Sequence, residues 1–240
     1  MPIGAIKNSY VGNKKQIVRE GLILNLDAGD YDSYSGGSTW YDLSGNGNDF
    51  TMYGTLSFTN NGTNSYFTST ATTSNYFVLY PFAHPITTTT VEMWADSTNA
   101  AGRALYSYNA SGAENNNLLF NTSNLSLYGP WGNVATSQNI TTGGWKHLMR
   151  TSNRTTGKEI LYINGAEVYN GTLGATTNYT TNGAMVLGQE QDGLWVRPGT
   201  GGFNASQAFV GHYSVFRMYD RVLNATEVKQ NYDAIRGRYE

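Results

Sequence analysis

Short runs in which apolar and polar residues alternate recur along most of the chain, a pattern typical of β-strands with one buried face. In residues 22–28, leucines at every second position alternate with Asn25 and Asp27. The pair Asn164-Gly165 separates two such runs and predicts a hairpin with a type I′ turn. Further predicted strands cover residues 76–82, 91–96, 104–108, 118–121, 125–128, 145–151, 159–163, 166–169, 184–188 and 208–219. About a dozen short strands at this spacing predict an all-β sandwich or barrel.

One segment near the C-terminus has helical periodicity instead. Asn224 is a good N-cap residue, and Glu227 follows three residues later, as in a capping box. Val228, Tyr232 and Ile235 recur at helical spacing. We therefore predict a single short helix over residues 224–236.

The domain organisation follows from where these patterns begin. Residues 1–20 carry no clear period and contain two glycines and the pair Lys14-Lys15, so we interpret them as an N-terminal arm. Residues 21–240 contain no internal repeat and no linker, which predicts one domain of a size that sandwiches often reach.

Composition narrows the classes of function. Charged residues make up 13% of the chain and the formal net charge is −2, without the basic stripe of a nucleic-acid-binding protein. The absence of cysteine excludes disulfides and thiolate metal sites. No apolar run has the length of a membrane span or the form of a signal peptide. We therefore predict neither nucleic-acid binding nor membrane insertion.

The segment after the strand at 184–188 combines several oxygen ligands. Glu190 and Asp192 are two residues apart, so on an extended backbone both carboxylates point to one side. The backbone carbonyl of Gln191 stays available between them, and Gln207 can return a neutral oxygen from the other arm. Oxygen ligands of mixed charge at a loop edge are typical of a Ca²⁺ site. A solvated acidic turn without metal is the alternative interpretation.

Residues 186–192, the glycine-rich loop behind them and residues 207–211 resemble the calcium segment of the pentraxins, which belong to the concanavalin A-like group. The ligands that this resemblance implies are Glu190, the carbonyl of Gln191, Asp192 and Gln207. The family adds an Asp-Asn pair from an earlier loop, and the nearest candidate here is Ser74-Asn75. Because serine replaces the aspartate, one charged ligand is missing and only Asn75 is carried over.

The resemblance extends over residues 21–233. Residues 21–28, 39–48, 145–147 and 161–165 resemble laminin-G-like jelly rolls, and residues 219–232 resemble their closing helix. It implies a concanavalin A-like jelly-roll β-sandwich of two antiparallel sheets with a short C-terminal helix. The opening and closing segments are also similar to such domains in tailed-phage structural proteins, which indicates a virion component.

Two aromatic residues in predicted loops are candidate ligand-binding platforms. Exposed rings stack against the apolar faces of sugars, and Trp131 and Trp195 are both flanked by turn residues. Core packing or an oligomer contact is the alternative for each.

Other polar groups are interpreted as structural. Residues 42–49 are interpreted as Asx turns in preference to a second metal site, and His147 as a hydrogen-bonded structural residue. Glu92 and Asp96 share one face of a strand, but they lack the third carboxylate of the glucanases in this group. We therefore predict that the chain is not an enzyme.

Together these observations predict a non-catalytic structural or decoration protein of a virion, made in the host cytoplasm, with a lectin-like and calcium-dependent glycan-binding loop edge. The predicted partners are other virion proteins, through the arm of residues 1–20, and glycans or cell-surface saccharides; a homo-oligomer is left open. A soluble calcium-dependent lectin is the alternative function. A glycan hydrolase acting through Glu92 or Glu190 is the less favoured one.

Overall fold

The computed structural model describes residues 16–98, 103–110, 113–142, 144–174 and 177–240. These residues form sixteen strands and one α-helix, with short 3₁₀ turns at Gly62–Asn64 and Arg236–Arg238. The elements are β1 (Leu22–Asp27), β2 (Thr39–Trp40), β3 (Phe50–Tyr53), β4 (Ser57–Thr59), β5 (Tyr66–Ser69), β6 (Tyr76–Phe82), β7 (Thr88–Ser97), β8 (Tyr106–Ala110), β9 (Ala113–Phe120), β10 (Ser126–Gly129), β11 (Gly132–Ala135), β12 (Lys146–Asn153), β13 (Lys158–Ile163), β14 (Ala166–Thr172), β15 (Gly183–Leu187), β16 (Gly211–Tyr219) and α1 (Ala225–Ile235).

The strands form two eight-stranded antiparallel sheets. The first has the order β14-β13-β12-β7-β16-β5-β4, with β1 paired to β16, and the second has the order β11-β10-β9-β8-β15-β6-β3-β2. Strands distant in sequence are neighbours in both sheets, as in a jelly roll. The predicted fold class, an all-β sandwich with one short C-terminal helix, is confirmed.

The core lies between the two sheets and is rich in aromatic residues. Trp40, Phe67 and Phe77 are fully buried there, with ring centroids about 5 Å apart. Alternation along each strand decides which side chains enter it. On β7, for example, Val91 and Met93 belong to the core cluster, whereas the intervening Glu92 faces away from it.

Helix α1 covers the outer face of the first sheet. The Asn224 side chain accepts hydrogen bonds from two backbone amides of the first turn, and the Glu227 side chain accepts one from the Asn224 amide, so the predicted capping box is confirmed. Val228 of the helix is fully buried, and the ring of Tyr232 stacks parallel to that of Trp94 with centroids 5.9 Å apart. The helix therefore seals a face that would otherwise be open to solvent.

The hairpin at Asn164-Gly165 is also confirmed. Both residues have positive φ, at 51° and 75°, as a type I′ turn requires. The strands β13 and β14 pair directly across it.

The predicted N-terminal arm is wrong at its C-terminal end. Val18 is buried, and its amide donates a 2.8 Å hydrogen bond to the side chain of Asn231 on α1. The backbone carbonyl of Gln16 accepts a hydrogen bond from Gln230 on the same helix. Residues 16–20 therefore belong to the folded domain, and residues 1–15 of the predicted arm lie outside the described residues. Across the described part of the chain, no helix has the length and hydropathy needed to cross a membrane.

Candidate functional site

The turn at residues 188–192 lies against the outer face of the second sheet. Ser107 of β8 points to this face, because its neighbours Tyr106 and Tyr108 both belong to the core between the sheets. The Ser107 hydroxyl donates a 2.7 Å hydrogen bond to the carbonyl of Gln189. The side-chain amide of Gln191 donates to the carbonyl of Ser107 at 3.1 Å. Strand β8 therefore fixes the conformation of the turn.

The same turn brings three segments of the chain together. The Gln189 side-chain amide donates a 2.6 Å hydrogen bond to the carbonyl of Thr72, which ties the loop before β6 to the turn. The amide of Phe209 donates a 2.9 Å hydrogen bond to the carbonyl of Gly188, and the amide of Ala104 donates to the carbonyl of Gln207. Gly188 has φ of +91°, a conformation that favours glycine where the chain leaves β15.

The structure places the predicted acidic ligands at this turn with different exposure. The side chain of Glu190 is buried, with 5% of its surface exposed, whereas Asp192 is exposed. A Cβ atom at Gly202 would lie 2.8 Å from the Cβ of Asp192, so the glycine-rich loop packs directly on this residue. The side chain of Gln191 points into the sheet, and its carbonyl lies 3.5 Å from the side-chain amide of Asn109.

Several buried oxygens beside the turn have no hydrogen-bond donor within the described residues. They are the side-chain carbonyl oxygens of Asn109, Gln189 and Gln207. A buried acceptor left without a donor costs about 1–3 kcal/mol. Neutral oxygens next to carboxylates are ligands that a hard cation such as Ca²⁺ takes. The kinds of oxygen donor present in and around the turn therefore suit the implied ion.

Acidic residues alone would not make this site. Across the ranges that the structure describes, no group of three or more His, Cys, Asp or Glu residues is placed to hold a metal. A cation at the turn would rest on two carboxylates, Glu190 and Asp192, and would need amide and carbonyl oxygens to complete its coordination.

Asn75 fits the predicted ligand set least well. Its side-chain oxygen already accepts a 3.0 Å hydrogen bond from the amide of Thr55. It is buried, and a Cβ atom at Gly54 would lie only 2.2 Å from the same oxygen. Asn75 therefore holds the turn between β3 and β4 against the start of β6. Ser74, which replaces the aspartate of the family pattern, is exposed beside it.

The prediction that Trp195 offers an exposed ring is wrong. Its surface is 6% exposed, and its indole nitrogen donates a 3.2 Å hydrogen bond to the hydroxyl of Tyr76. The loop after Asp192 folds back onto the sheet, and the ring packs with Val78, Ala184 and Val186 on the outer face. The ring is buried against these apolar side chains and forms with them a second, smaller hydrophobic core.

Trp131 is half-buried at the turn between β10 and β11. The Arg154 guanidinium lies 5.9 Å from its ring centroid, and a Cβ atom at Gly174 would lie 2.4 Å from the Cβ of Trp131. Part of its surface is therefore committed to packing. The structure does not bring Trp131 and the turn at 188–192 into contact through any described hydrogen bond or ring pair.

A cleft next to the turn was missed by the sequence interpretation. It is lined by Thr73, Tyr76, Gly199, Thr200, Gly202 and Phe203 and has a volume of about 250 Å³. Phe203 follows Gly201 and Gly202 in the sequence and precedes Gln207. An aromatic residue in so polar a loop was the one sequence signal that could have indicated this cleft.

Glu92, the residue on which the hydrolase alternative depended, is fully buried under α1. Its carboxylate accepts hydrogen bonds from Arg217 at 2.9 Å and Asn231 at 2.7 Å, and lies 3.2 Å from His147. Burial by itself would raise the pKa of Glu92, but the Arg217 guanidinium and the hydrogen bonds of His147 and Asn231 lower it to about 2. A fully buried carboxylate held by these three partners is out of reach of a glycan, so the structure does not support that alternative at Glu92. The contact also agrees with a structural role for His147.

The pKa of Glu92 predicts an acid-dependent stability. A carboxyl with a pKa of about 2 in the folded chain and about 4.5 when unfolded stabilises the fold fully above pH 4.5. We expect this contribution, on the order of 3 kcal/mol, to be lost as the pH falls from 4.5 through 2. Carbon-13 NMR of the Glu92 carboxyl would measure the folded-state value. A titration midpoint at or above 4.5 would contradict the prediction.

The loop at residues 42–49 is a hydrogen-bonded turn, which supports its interpretation as Asx turns. One carboxylate oxygen of Asp42 accepts from the amides of Asn25 and Ser44, and the other accepts from the amide of Asn48. Asp49 in turn accepts from the amide of Asp42. These oxygens tie the loop to β1.

Comparison with solved structures shows the same fold in proteins of low identity. Domain 4 of AbnA, a GH43 extracellular arabinanase from Geobacillus stearothermophilus, in complex with arabinotriose, has a TM-score of 0.64 at 19% identity, covering 88% of this chain and 98% of that domain. The native heptameric SAP-like pentraxin from Limulus polyphemus has a TM-score of 0.55 at 21% identity, covering 64% of this chain and 73% of that protein. Both support the β-sandwich fold.

Sequence comparison gives the family. Neuronal pentraxin-1 of Rattus norvegicus is 39% identical over 90 residues, which are 37% of this chain and 20% of that protein, so the match spans about a fifth of the relative's length. The sequence model described as the Pentaxin family matches residues 65–236, more than half of the chain. The chain therefore belongs to the pentaxin family, as a pentraxin-like, lectin-type β-sandwich domain.

Proposed function

We propose that this chain is a non-catalytic, calcium-dependent glycan-binding domain whose ligand edge is the turn at residues 188–192. The observation that carries the proposal is the set of buried side-chain oxygens of Asn109, Gln189 and Gln207, which lack donors among the described residues. These residues belong to the turn or to segments that are hydrogen-bonded to it. The complex of the structurally similar AbnA domain with arabinotriose supports a saccharide as the class of ligand.

The residues that would hold the ion are Glu190, Asp192, the carbonyl of Gln191 and the side chain of Gln207. When bound, calcium would supply a positive centre that attracts hydroxyl oxygens of a sugar. The chain's own contribution is positioning: β8 holds the turn through Ser107, and Gln189 holds the neighbouring loop. Asn75 would have a positioning role, since its side-chain oxygen accepts the hydrogen bond from Thr55 that holds the turn between β3 and β4.

Calcium titration followed by thermal unfolding tests the metal site. At 100 times its dissociation constant, calcium should stabilise the fold by about 2.7 kcal/mol, because it binds the folded state only. Asp192→Asn should lose most of that increment, since it removes a charged ligand from an exposed position. Asp32→Asn is the matched control, because Asp32 is also exposed and lies in the loop after β1. Equal calcium responses from the two variants would contradict the proposed site.

Glycan binding is measured separately, on a saccharide array with calcium or with a chelator. We expect binding by the wild-type chain in calcium and its loss with the chelator or in the Asp192→Asn variant. Calcium-independent binding, or an array without any positive saccharide, would contradict the proposal.

Two further expectations stay proposals. The similarity to a heptameric pentraxin supports self-association, which light scattering of the purified chain would test. A location in a virion, with residues 1–15 of the predicted arm as a tether to other virion proteins, is the more specific function expected from the sequence. Mass spectrometry of purified particles would test it, and absence of the chain from particles would contradict it.

A further inference from the structure

The outer face of the first sheet carries a row of aromatic rings that the proposed function does not use. This aromatic strip consists, in order, of Tyr232, Trp94, Tyr239, Trp145, His212 and Tyr66. Neighbouring ring centroids along it are between 4.1 and 6.2 Å apart. The first two rings are buried at α1, whereas the last three are only half-buried. The strip therefore runs from the covered part of this face to a part that solvent reaches.

At the covered end, cations of the chain itself lie over the rings. The Arg238 guanidinium is 5.4 Å from the ring centroid of Tyr239, and the Arg236 guanidinium is 5.6 Å from that of Tyr232. Arg238 also donates two 2.7 Å hydrogen bonds to the carboxylate of Asp27. Ring faces attract cations, and a carboxylate adds a charge-assisted hydrogen bond. This end of the strip therefore shows how the surface binds a guanidinium group.

The open end has a ring and a carboxylate as well. Asp96 follows the core residue Ala95 on β7, so its side chain points to the outer face, where it is half-buried. Strand pairing places His212 directly opposite Asp96, and it places Lys146, the neighbour of Trp145, opposite Ala95. Within the described ranges, neither Asp96 nor Trp145 takes part in an ion pair or a cation–ring contact. Both are therefore available to a cation from outside.

The open end carries negative charge at neutral pH. Burial lowers the pKa of the His212 imidazole below its usual value of 6.5, against a smaller opposing effect of Asp96, so the ring is neutral at pH 7. The Nδ1 atom of His212 is 3.1 Å from the hydroxyl oxygen of Thr68 on β5. Lys146 is paired with a core residue and so alternates to the other face of the sheet. Asp96 therefore sets the charge of this surface.

The rings near Asp96 are tilted against one another. The plane of Tyr66 makes angles of 62° with that of Trp145 and 54° with that of His212. A sugar ring stacks on a flat aromatic surface, which tilted rings do not provide. A guanidinium group is small and planar, stacks on a single ring, and presents two N–H groups to one carboxylate. The tilt and the carboxylate therefore favour a guanidinium group over a sugar.

We propose that Asp96 and Trp145, with Tyr66 beside them, bind the guanidinium group of an arginine side chain on a protein partner. The carboxylate of Asp96 accepts the N–H groups, and the plane of the cation lies against the indole of Trp145. The inference goes beyond the proposed function, because this surface belongs to the other sheet and involves neither the calcium turn nor a glycan.

Nuclear magnetic resonance of the full chain tests the site. The reporter is the indole N–H signal of Trp145, and the signal of the fully buried Trp40 is the internal reference. The probes are N-acetyl-arginine amide and its neutral analogue N-acetyl-citrulline amide. We expect the arginine probe to shift the Trp145 signal saturably, the citrulline probe to bind at least 10-fold more weakly, and added salt to weaken the difference. Equal binding of the two probes would overturn the proposal.

Asp96→Asn removes the charge and keeps the shape of the side chain. Its matched control is Asp32→Asn, because Asp32 is an exposed acid beside another exposed ring, that of Tyr31. We expect Asp96→Asn to bind the arginine probe at least 10-fold more weakly and the control to bind within 2-fold of wild type. Wild-type affinity in Asp96→Asn would refute the site. The comparison of the two probes on the wild-type chain does not depend on how either variant folds.

Two further probes test the source and the class of the ligand. Methylguanidinium carries the same cation without the methylene stem that packs along apolar surface, so we expect it to bind at least 5-fold more weakly than the arginine probe. Equal affinity would overturn the assignment to an arginine side chain. Methyl glucoside, added with a chelator, represents a sugar. A shift of the Trp145 signal by the glucoside but not by the arginine probe would also overturn the proposal.

Discussion

Glu92→Gln is expected to lower the free energy of unfolding by about 3–5 kcal/mol, the cost of removing one partner from a buried ion pair. The variant keeps the shape of the side chain but leaves the Arg217 guanidinium, 2% exposed, without the carboxylate at 2.9 Å. Arg217 retains a weaker contact with Asp27, at 3.6 Å, which compensates only in part. The loss should therefore be among the largest for any single change outside the hydrophobic core.

Urea unfolding at pH 7 would measure this effect, with Glu20→Gln as the control because Glu20 is a surface acid 86% exposed at its side chain. The control should change stability by less than 1 kcal/mol. A second variant, Glu92→Met combined with Arg217→Met, removes both charges and should recover part of the loss, since no charge is then left unpaired. Equal stability of wild type and Glu92→Gln would show that the ion pair contributes nothing.

Glu159→Gln should also lower the free energy of unfolding by about 3–5 kcal/mol, through a second buried ion pair elsewhere in the fold. Glu159 is fully buried between the sheets, where its two oxygens accept from Arg150 at 3.0 Å and Arg154 at 3.2 Å. Ser152 donates a third hydrogen bond to the same carboxylate. Removing the charge leaves two guanidinium groups in a region with little access to water.

The Glu159 variant is best compared with Glu167→Gln. Glu167 is an exposed acid on the adjacent strand β14, so the same chemical change there should cost less than 1 kcal/mol. Thermal unfolding followed by near-ultraviolet circular dichroism reports on the tyrosines packed around the network, including Tyr179, whose hydroxyl donates to Ser152. A Glu159 variant as stable as the Glu167 variant would contradict the prediction.

The strands with strong alternation were predicted closely. Strand β6 runs from Tyr76 to Phe82, as expected, and β13 begins one residue earlier than the predicted start. Strand β7 is longer than predicted because its first residues are threonines, which carry no apolar signal. Their hydroxyls donate to backbone carbonyls at the end of β16 and just after it, as Thr90 does to Arg221, and no local pattern in the sequence shows this contact.

Most strands of two to four residues were not predicted; the four-residue strand β10, expected at residues 125–128, is the exception. Strands β2, β3, β4, β5 and β11 are too short to show alternation, and their positions depend on a longer neighbour that supplies the hydrogen bonds. Strand β2 consists of two residues paired to β3, which in turn pairs to β6. Such pairings arise only when the sheet has formed.

The candidate site divides in the same way. The sequence singled out Glu190, Gln191, Asp192 and Gln207 through spacing and family resemblance, and their role as ligands stays a prediction. The first three lie in one turn, and the segment of Gln207 joins that turn through the hydrogen bond from Phe209 to Gly188. The cleft at Tyr76 and Phe203 was not predicted, because its two walls are more than a hundred residues apart in the chain.

The amino-acid sequence determined what depends on near neighbours: the period-2 strands, the Asn164-Gly165 turn and the capping box at Asn224. These features are encoded by side chains that act on backbone within a few residues of themselves. The tertiary structure alone decided what covers the outer faces of the two sheets. Helix α1 buries Glu92 from more than a hundred residues away, and the loop after Asp192 buries Trp195. The alternation of apolar and polar residues predicts the face of the sheet to which each side chain points. Whether that face is buried depends on the segment that packs against it.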